Sequence, residues 1–169
     1  MLQHARCSDI RFCAILWVVA WPENGIVKDY VESFVAYISN VLLVCDVYLI
    51  FDRYLVFSIK SYTRSSRADN LSSRDTELIM ETVMSPQRVC LVATHNKIQL
   101  IKMICDYLEQ QCETSSDRKL VITSAKEIPV QLCGSTVPQR PDLSTLHEKA
   151  DGIIAQQATS TWPDPDTKT

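Results

Sequence analysis

The chain is 169 residues long, with 46% hydrophobic residues, 22% charged residues and a formal net charge of -3. That length supports one domain with a core of its own. The slightly acidic balance excludes a generic polyanion binder, so any affinity for nucleic acid has to come from a local basic patch. The seven cysteines are Cys7, Cys13, Cys45, Cys90, Cys105, Cys112 and Cys133. They form no CxxC and no Cys/His pair at zinc-ligand spacing, which argues against structural zinc. An odd count, with several of them inside apolar runs, points to free thiols in a reducing compartment, nucleus or cytoplasm.

Residues 1–12 are polar and mixed and read as a loose leading segment. The apolar run Cys13 to Trp21 is too short to span a bilayer. Arg6 and Arg11 before it imitate a secretory signal, but Trp21-Pro22-Glu23-Asn24 offers no small-residue cleavage site. The run is therefore predicted to be a strand, with a cleaved signal as the alternative, and no membrane partner is expected. Pro22 to Gly25 is a turn. Ile26, Tyr30, Val31, Phe34, Tyr37, Ile38 and Val41 then recur at helical spacing and predict a helix over 27–40.

Val47-Tyr48-Leu49-Ile50-Phe51 is rich in β-branched and aromatic residues, as a strand covered on both faces requires. It runs into Asp52-Arg53. A carboxylate at the carboxyl end of such a strand lies where open α/β sheets bind ligands; alternatively, Asp52 starts the next turn. Residues 60–87 form a long segment rich in Ser, Thr and Arg, with a helical turn expected near 76–84. Arg53, Lys60, Arg64, Arg67 and Arg74 concentrate positive charge there, with Tyr54 and Tyr62 interleaved. Cations with aromatics suit the phosphates and stacked bases of a single strand; the alternative is a loop kept soluble by its charges.

Downstream, Arg88 to Ala93 is predicted to be a strand. A helix follows, capped by Thr94 and carrying Ile98, Ile101, Ile104, Cys105 and Leu108. Residues 112–117 read as a polar loop. Lys119 to Ser124 is a further strand, and 127–132, broken by Pro129, suits a sheet edge. Residues 134–142, with Pro138 and Pro141, are predicted to be irregular. Thr145 with Glu148 makes a capping box for a helix over 146–157. Residues 159–169 read as a frayed tail.

Alternating strands and helices predict an α/β domain over 13–158, with a mainly parallel sheet flanked by helices. Glu148 and Asp151 share one face of the last helix. If that helix starts beside Asp52, three carboxylates converge, as a hard cation such as Mg²⁺ or Mn²⁺ requires. The alternative is that the two acids serve the cap and the helix dipole. No nucleophile-base-orienter set and no phosphate-binding glycine loop is present. His147 beside Glu148 is a metal neighbour or a surface histidine.

Four blocks, DVYLIFDRY, IKSYTRSSRA, HNKIQLIKMIC and LSTLHEKADGII, occur in one order. Together they resemble a group of animal proteins repeated in genomes, themselves similar to the PIN and flap-endonuclease nucleases. The resemblance covers residues 16–157. It implies a PIN-like domain in which Asp52, Glu148 and Asp151 are catalytic ligands of Mg²⁺ or Mn²⁺. Arg53, Lys60, Arg64, Arg67 and Arg74 then hold a single-stranded or flapped nucleic acid. Lys149 stands where relatives often carry another acid. Relatives also continue into a strand ending in D-x-D, whereas Asp164-Pro165-Asp166 has no apolar strand before it. The resemblance thus implies a C-terminally truncated, degenerate metal-dependent nuclease-like domain acting on phosphodiester bonds; the alternative is a non-catalytic module binding nucleic acid or protein.

Overall fold

A computed structural model of the chain describes residues 15–53, 76–111, 118–123, 128–134, 138–147 and 149–161. The leading segment 1–12, the basic stretch 60–75, the loop 112–117, Glu148 and the tail from 162 onward lie outside the described residues.

Helix α1 is a single turn, Ile15–Val18, and α2 is Val27–Leu42. The α2 stripe Val27, Tyr30, Val31, Phe34, Val35, Ile38 and Leu42 is buried, at the three- and four-residue spacing that predicts it. Its first turn is satisfied from two directions. Asp29 Oδ2 accepts the Ile26 N–H at 2.8 Å. The Val27 and Lys28 N–H groups donate to the carbonyls of Thr82 and Met80, both at 2.9 Å. Residues 76–84 are therefore an extended strap with a turn at 80–81, bridged to Ile26 through Val83, in place of the expected helical turn. At Gly25 a Cβ would lie 2.5 Å from Pro22 Cβ, so the turn before α2 requires glycine.

Strand β1 is Val47–Ile50, and α3 is Gln87–Val92. Helix α4 is Thr94–Gln111, β2 is Leu120–Thr123 and β3 is Val130–Leu132. A 3₁₀ turn at Pro141–Leu143 leads to α5, Ala150–Thr161. The sheet order is β1-β2-β3. β1 runs parallel to β2 with Val47 opposite Leu120, and β2 runs antiparallel to β3. The fold is α/β with a small mixed sheet. β3 follows Pro129 and ends the sheet, as expected of an edge strand, and the segment 138–140 bonds along it.

One sheet face, with Val47, Leu49, Phe51, Leu120, Ile122, Val130 and Leu132, joins the main core under α2 and α4. On the other face Ile50 packs with Ala150 and Ile153 of α5, and Tyr48 flanks them. The strand is thus covered on both sides, as its composition requires.

Two expected strands are helical. In the 13–21 run, Ile15 and Leu16 turn inward while Trp17 and Val18 are 50% and 65% exposed. The Leu16 carbonyl accepts the Tyr30 hydroxyl and Gln87 Nε2, both at 2.9 Å, which ties α1 to α2 and α3. Over 88–93, Cys90 and Leu91 are buried and Val89 is exposed, a one-sided pattern that suits a helix. Pro86 sits at its start, where a missing N–H costs nothing. The last helix starts at Ala150, four residues later than expected. Thr145 Oγ1 accepts the His147 N–H at 3.1 Å and holds the chain in a turn there instead.

Tyr30 and Cys90 are buried neutral groups. Burial, with Cys90 adding to it, pushes the Tyr30 hydroxyl far above the usual phenol range, and burial pushes the Cys90 thiol up. The unfolded chain releases these protons first, so stability is full below the unfolded pKa values and falls as pH rises past them, about 8.5 and 10. Thermal melts from about pH 7 to about pH 10.5 are expected to show a falling Tm, with a smaller fall in Tyr30→Phe. At neutral pH, Tyr30→Phe is expected to lower the unfolding free energy by about 1 kcal/mol in urea titrations, through loss of the bond to Leu16.

Candidate functional site at the carboxyl end of β1

β1 is followed by Phe51, which is fully buried and whose N–H donates to the Thr123 carbonyl at 2.8 Å. The next two residues, Asp52 and Arg53, leave the sheet at the carboxyl end of the parallel pair. Asp52 is half-buried, and its Oδ1 accepts the Ala150 N–H at 2.9 Å. Ala150 is the first residue of α5, so a side chain just past β1 occupies one of the helix's unsatisfied donors. The same carboxylate complements the positive end of the helix dipole. Asp52 thus supplies a cap across the fold, a role that neither sequence reading named.

Arg53 is 7% exposed, and its Nη1 donates to the Thr145 carbonyl. The sequence placed Arg53 among phosphate-holding cations. In the structure the side chain is largely buried and reaches the 145–147 segment. Lys60, Arg64, Arg67 and Arg74 lie outside the described residues.

The Thr145 hydroxyl bonds Gln156 of α5. Gln157 Nε2 donates to Thr123 Oγ1 and to the Leu143 carbonyl, both at 3.1 Å. Helix α5 is thereby fixed to the ends of both parallel strands and to the 3₁₀ turn. Helix α5 begins at Ala150, five residues after Thr145, and Glu148 lies outside the described residues. Thr145 bonds within its own turn, and Asp52 provides the carboxylate that the helix start needs.

Asp151 stands exposed in the first turn of α5. The structure therefore brings Asp52 and the Asp151-bearing turn to the same end of the sheet, while Glu148 is outside the described residues. Among the described residues no three of His, Cys, Asp and Glu come together as a cation site. Asp52 also spends one oxygen on Ala150. The described acids by themselves do not form the seat of a hard cation, which needs several oxygens around it.

Sequence reasoning missed two features. The His147 ring lies over the start of α5, so close to Gly152 that a Cβ there would be 3.0 Å from His147 Cγ and 3.1 Å from Nδ1. The glycine in HEKADGII was the available signal. The second is a cavity of about 150 Å³ beside Asp52, lined by Trp17, Phe51, Leu91, Lys97 and Ile101 among others. It forms where α1, α3 and α4 meet the end of β1, and two of those helices had been read as strands.

No protein-family model matches the chain, and the searches found no matching curated protein or solved structure. Among the described residues no helix is long and apolar enough to cross a membrane.

The cap separates two substitutions. Asp52→Ala is expected to lower the unfolding free energy by about 1 to 2 kcal/mol, the usual cost of a lost N-cap acceptor. Asp52→Asn keeps an acceptor oxygen and is expected to stay within about 0.5 kcal/mol of the native chain. Urea titrations of both variants check this.

Proposed function

We propose that the chain is a metal-dependent nuclease-like domain of the PIN type whose catalytic arrangement has degenerated. The observation that carries this reading is the 2.9 Å hydrogen bond from Ala150 N–H to Asp52 Oδ1. It supports the nuclease-like layout because an acid at a strand end meets a helix whose first turn bears Asp151. That meeting lies at the carboxyl end of parallel strands, where α/β sheets bind their ligands. On this reading β1 and β2 are the parallel heart of a PIN-like sheet.

The same bond supports degeneration. A carboxylate holding Mg²⁺ or Mn²⁺ points its oxygens at the ion from about 2 Å. Here a backbone N–H competes for Oδ1, and Lys149 adds a positive charge one residue before Ala150. In an active arrangement Asp52, Glu148 and Asp151 would hold the cation, which would supply an activated water for phosphodiester hydrolysis. The retained role is binding of single-stranded or flapped nucleic acid through Lys60, Arg64, Arg67 and Arg74.

The test is cleavage of single-stranded and flapped DNA and RNA with Mn²⁺, comparing the native chain with Asp52→Asn. The expected result is no difference between the two. Cleavage by the native chain that Asp52→Asn abolishes would establish a working nuclease and overturn degeneration. Binding is expected to weaken with salt, and each of Arg64→Ala and Arg67→Ala to reduce the salt slope by about one.

A further inference from the structure

We infer that Asn24 is a site of slow, water-driven modification: its side-chain amide is lost by reaction with the Gly25 backbone nitrogen, and the products loosen the 76–84 strap from the start of α2. This goes beyond the nuclease reading and does not rest on it, because it involves neither the carboxyl end of β1 nor a metal.

The chain has four asparagines, Asn24, Asn40, Asn70 and Asn96, and Asn24 alone is followed by glycine. A glycine has no side chain to shield its nitrogen. The fold itself demands this one, since a Cβ at position 25 would lie 2.5 Å from Pro22 Cβ and 2.8 Å from Asp29 Oδ2. The turn presents Asn24 to water, exposed and with a φ of 58°. Asparagine is enriched in that left-handed region, which most residues avoid. Among the described residues nothing bonds the Asn24 side chain, the Asn24 carbonyl or the Gly25 N–H. The peptide plane between the two residues is thus tied on neither side, and its rotation brings the Gly25 nitrogen to the Asn24 side chain. The other described asparagines lack this freedom. Asn40 lies within α2 and precedes the β-branched Val41. Asn96 is buried, and its Oδ1 accepts the Thr76 N–H at 3.0 Å.

The chemistry needs only water and a base. The base takes the Gly25 N–H proton, the nitrogen bonds Asn24 Cγ, and the side-chain nitrogen leaves as ammonia. A five-membered cyclic imide remains. Water then opens it. Breaking the bond to Cγ leaves aspartate at position 24, and breaking the bond to the main-chain carbonyl leaves isoaspartate. Nothing is oxidised or reduced.

Either product adds a carboxylate between Glu23 and Gly25, and isoaspartate also lengthens the main chain by one methylene. Several bonds converge on this turn. Asp29 Oδ2 accepts the Ile26 N–H at 2.8 Å, and a new carboxylate nearby repels it. The Gly25 carbonyl accepts the Met84 N–H at 2.9 Å, and the next two amides, Val27 and Lys28, donate to Thr82 and Met80 of the strap. A longer and more negative turn draws Gly25 and Ile26 off these partners.

The test ages the full chain at physiological temperature, at neutral and at mildly alkaline pH, with mass-spectrometric peptide mapping for deamidation and isoaspartate. Position 24 is expected to convert before the other three asparagines, faster at the higher pH, with isoaspartate among the products. The folded chain is expected to react within about tenfold of the urea-unfolded chain, as a segment that opens at little cost does. The aged protein is expected to melt about 2 to 4 °C lower, the shift that loss of one helix cap brings in a chain of this size. Its Val27, Lys28 and Met84 amides are expected to exchange faster than in fresh protein. Asn24→Gly keeps a residue that accepts the turn's φ but carries no amide, and is expected to age without that fall in Tm. Conversion in the folded chain slower than that tenfold limit, conversion that leaves exchange at the three amides unchanged, or an equal fall in Tm in aged Asn24→Gly would overturn the proposal. None of these outcomes depends on the Mn²⁺ cleavage assay, so the two readings fail separately.

Discussion

The hydrogen bond between Asp52 and Ala150 joins residues 98 positions apart. It sets where the last helix begins. Helix α5 carries a small apolar patch, Ala150 and Ile153, which covers Ile50 on the outer face of the sheet. Such a patch orients a helix but leaves its first N–H groups without partners. Asp52 supplies one acceptor from the strand, and the neighbouring Arg53 holds the turn before the helix through the Thr145 carbonyl. Two adjacent residues of opposite charge thus clamp one segment, each through a backbone group.

That clamp is only as rigid as the strand end that carries it. Phe51 is buried beside Phe34, with ring centroids 6.4 Å apart. Phe34 in turn faces Tyr30 at 6.3 Å, and Tyr30 faces Trp21 at 4.7 Å. These tilted pairs run from the turn before α2 to the corner where Asp52 emerges. Each pair adds specific packing to its area of burial. The strap over 76–84 closes the other end by taking the first donors of α2 and by bonding Thr76 and Leu78 to the Gln99 side chain. The position of the candidate site is therefore a property of the aromatic core, not of the loop in which Asp52 sits.

The elements legible in the sequence were those long enough to show a period. The α2 stripe from Val27 to Leu42 and the α4 stripe through Ile101, Ile104 and Leu108 span several turns, and periodicity identifies both. The apolar runs at 13–21 and 88–93 are too short to distinguish strand from helix by pattern. Pro86 was the local signal that the second opens a helix. The start of α5 was illegible for a different reason. A capping box is a local device, whereas the acceptor used here follows β1, and sequence proximity carries no trace of it. The contact of Arg53 was illegible for the same reason: it reaches a carbonyl that only the tertiary arrangement brings near. The meeting of Asp52 with the helix bearing Asp151 was anticipated conditionally, and the helix does start there.

One carboxylate thus stands between two roles, a metal ligand in a nuclease layout and a cap in a settled fold. The most direct measurement is the amide hydrogen-exchange rate of Ala150 in the native chain and in Asp52→Ala. If Asp52 caps the helix, the Ala150 amide is protected in the native chain and exchanges at least about tenfold faster in the variant, matching the free energy of a lost cap. An Ala150 amide that exchanges at the same rate in both proteins would contradict the account, because the carboxylate would then be free for another partner.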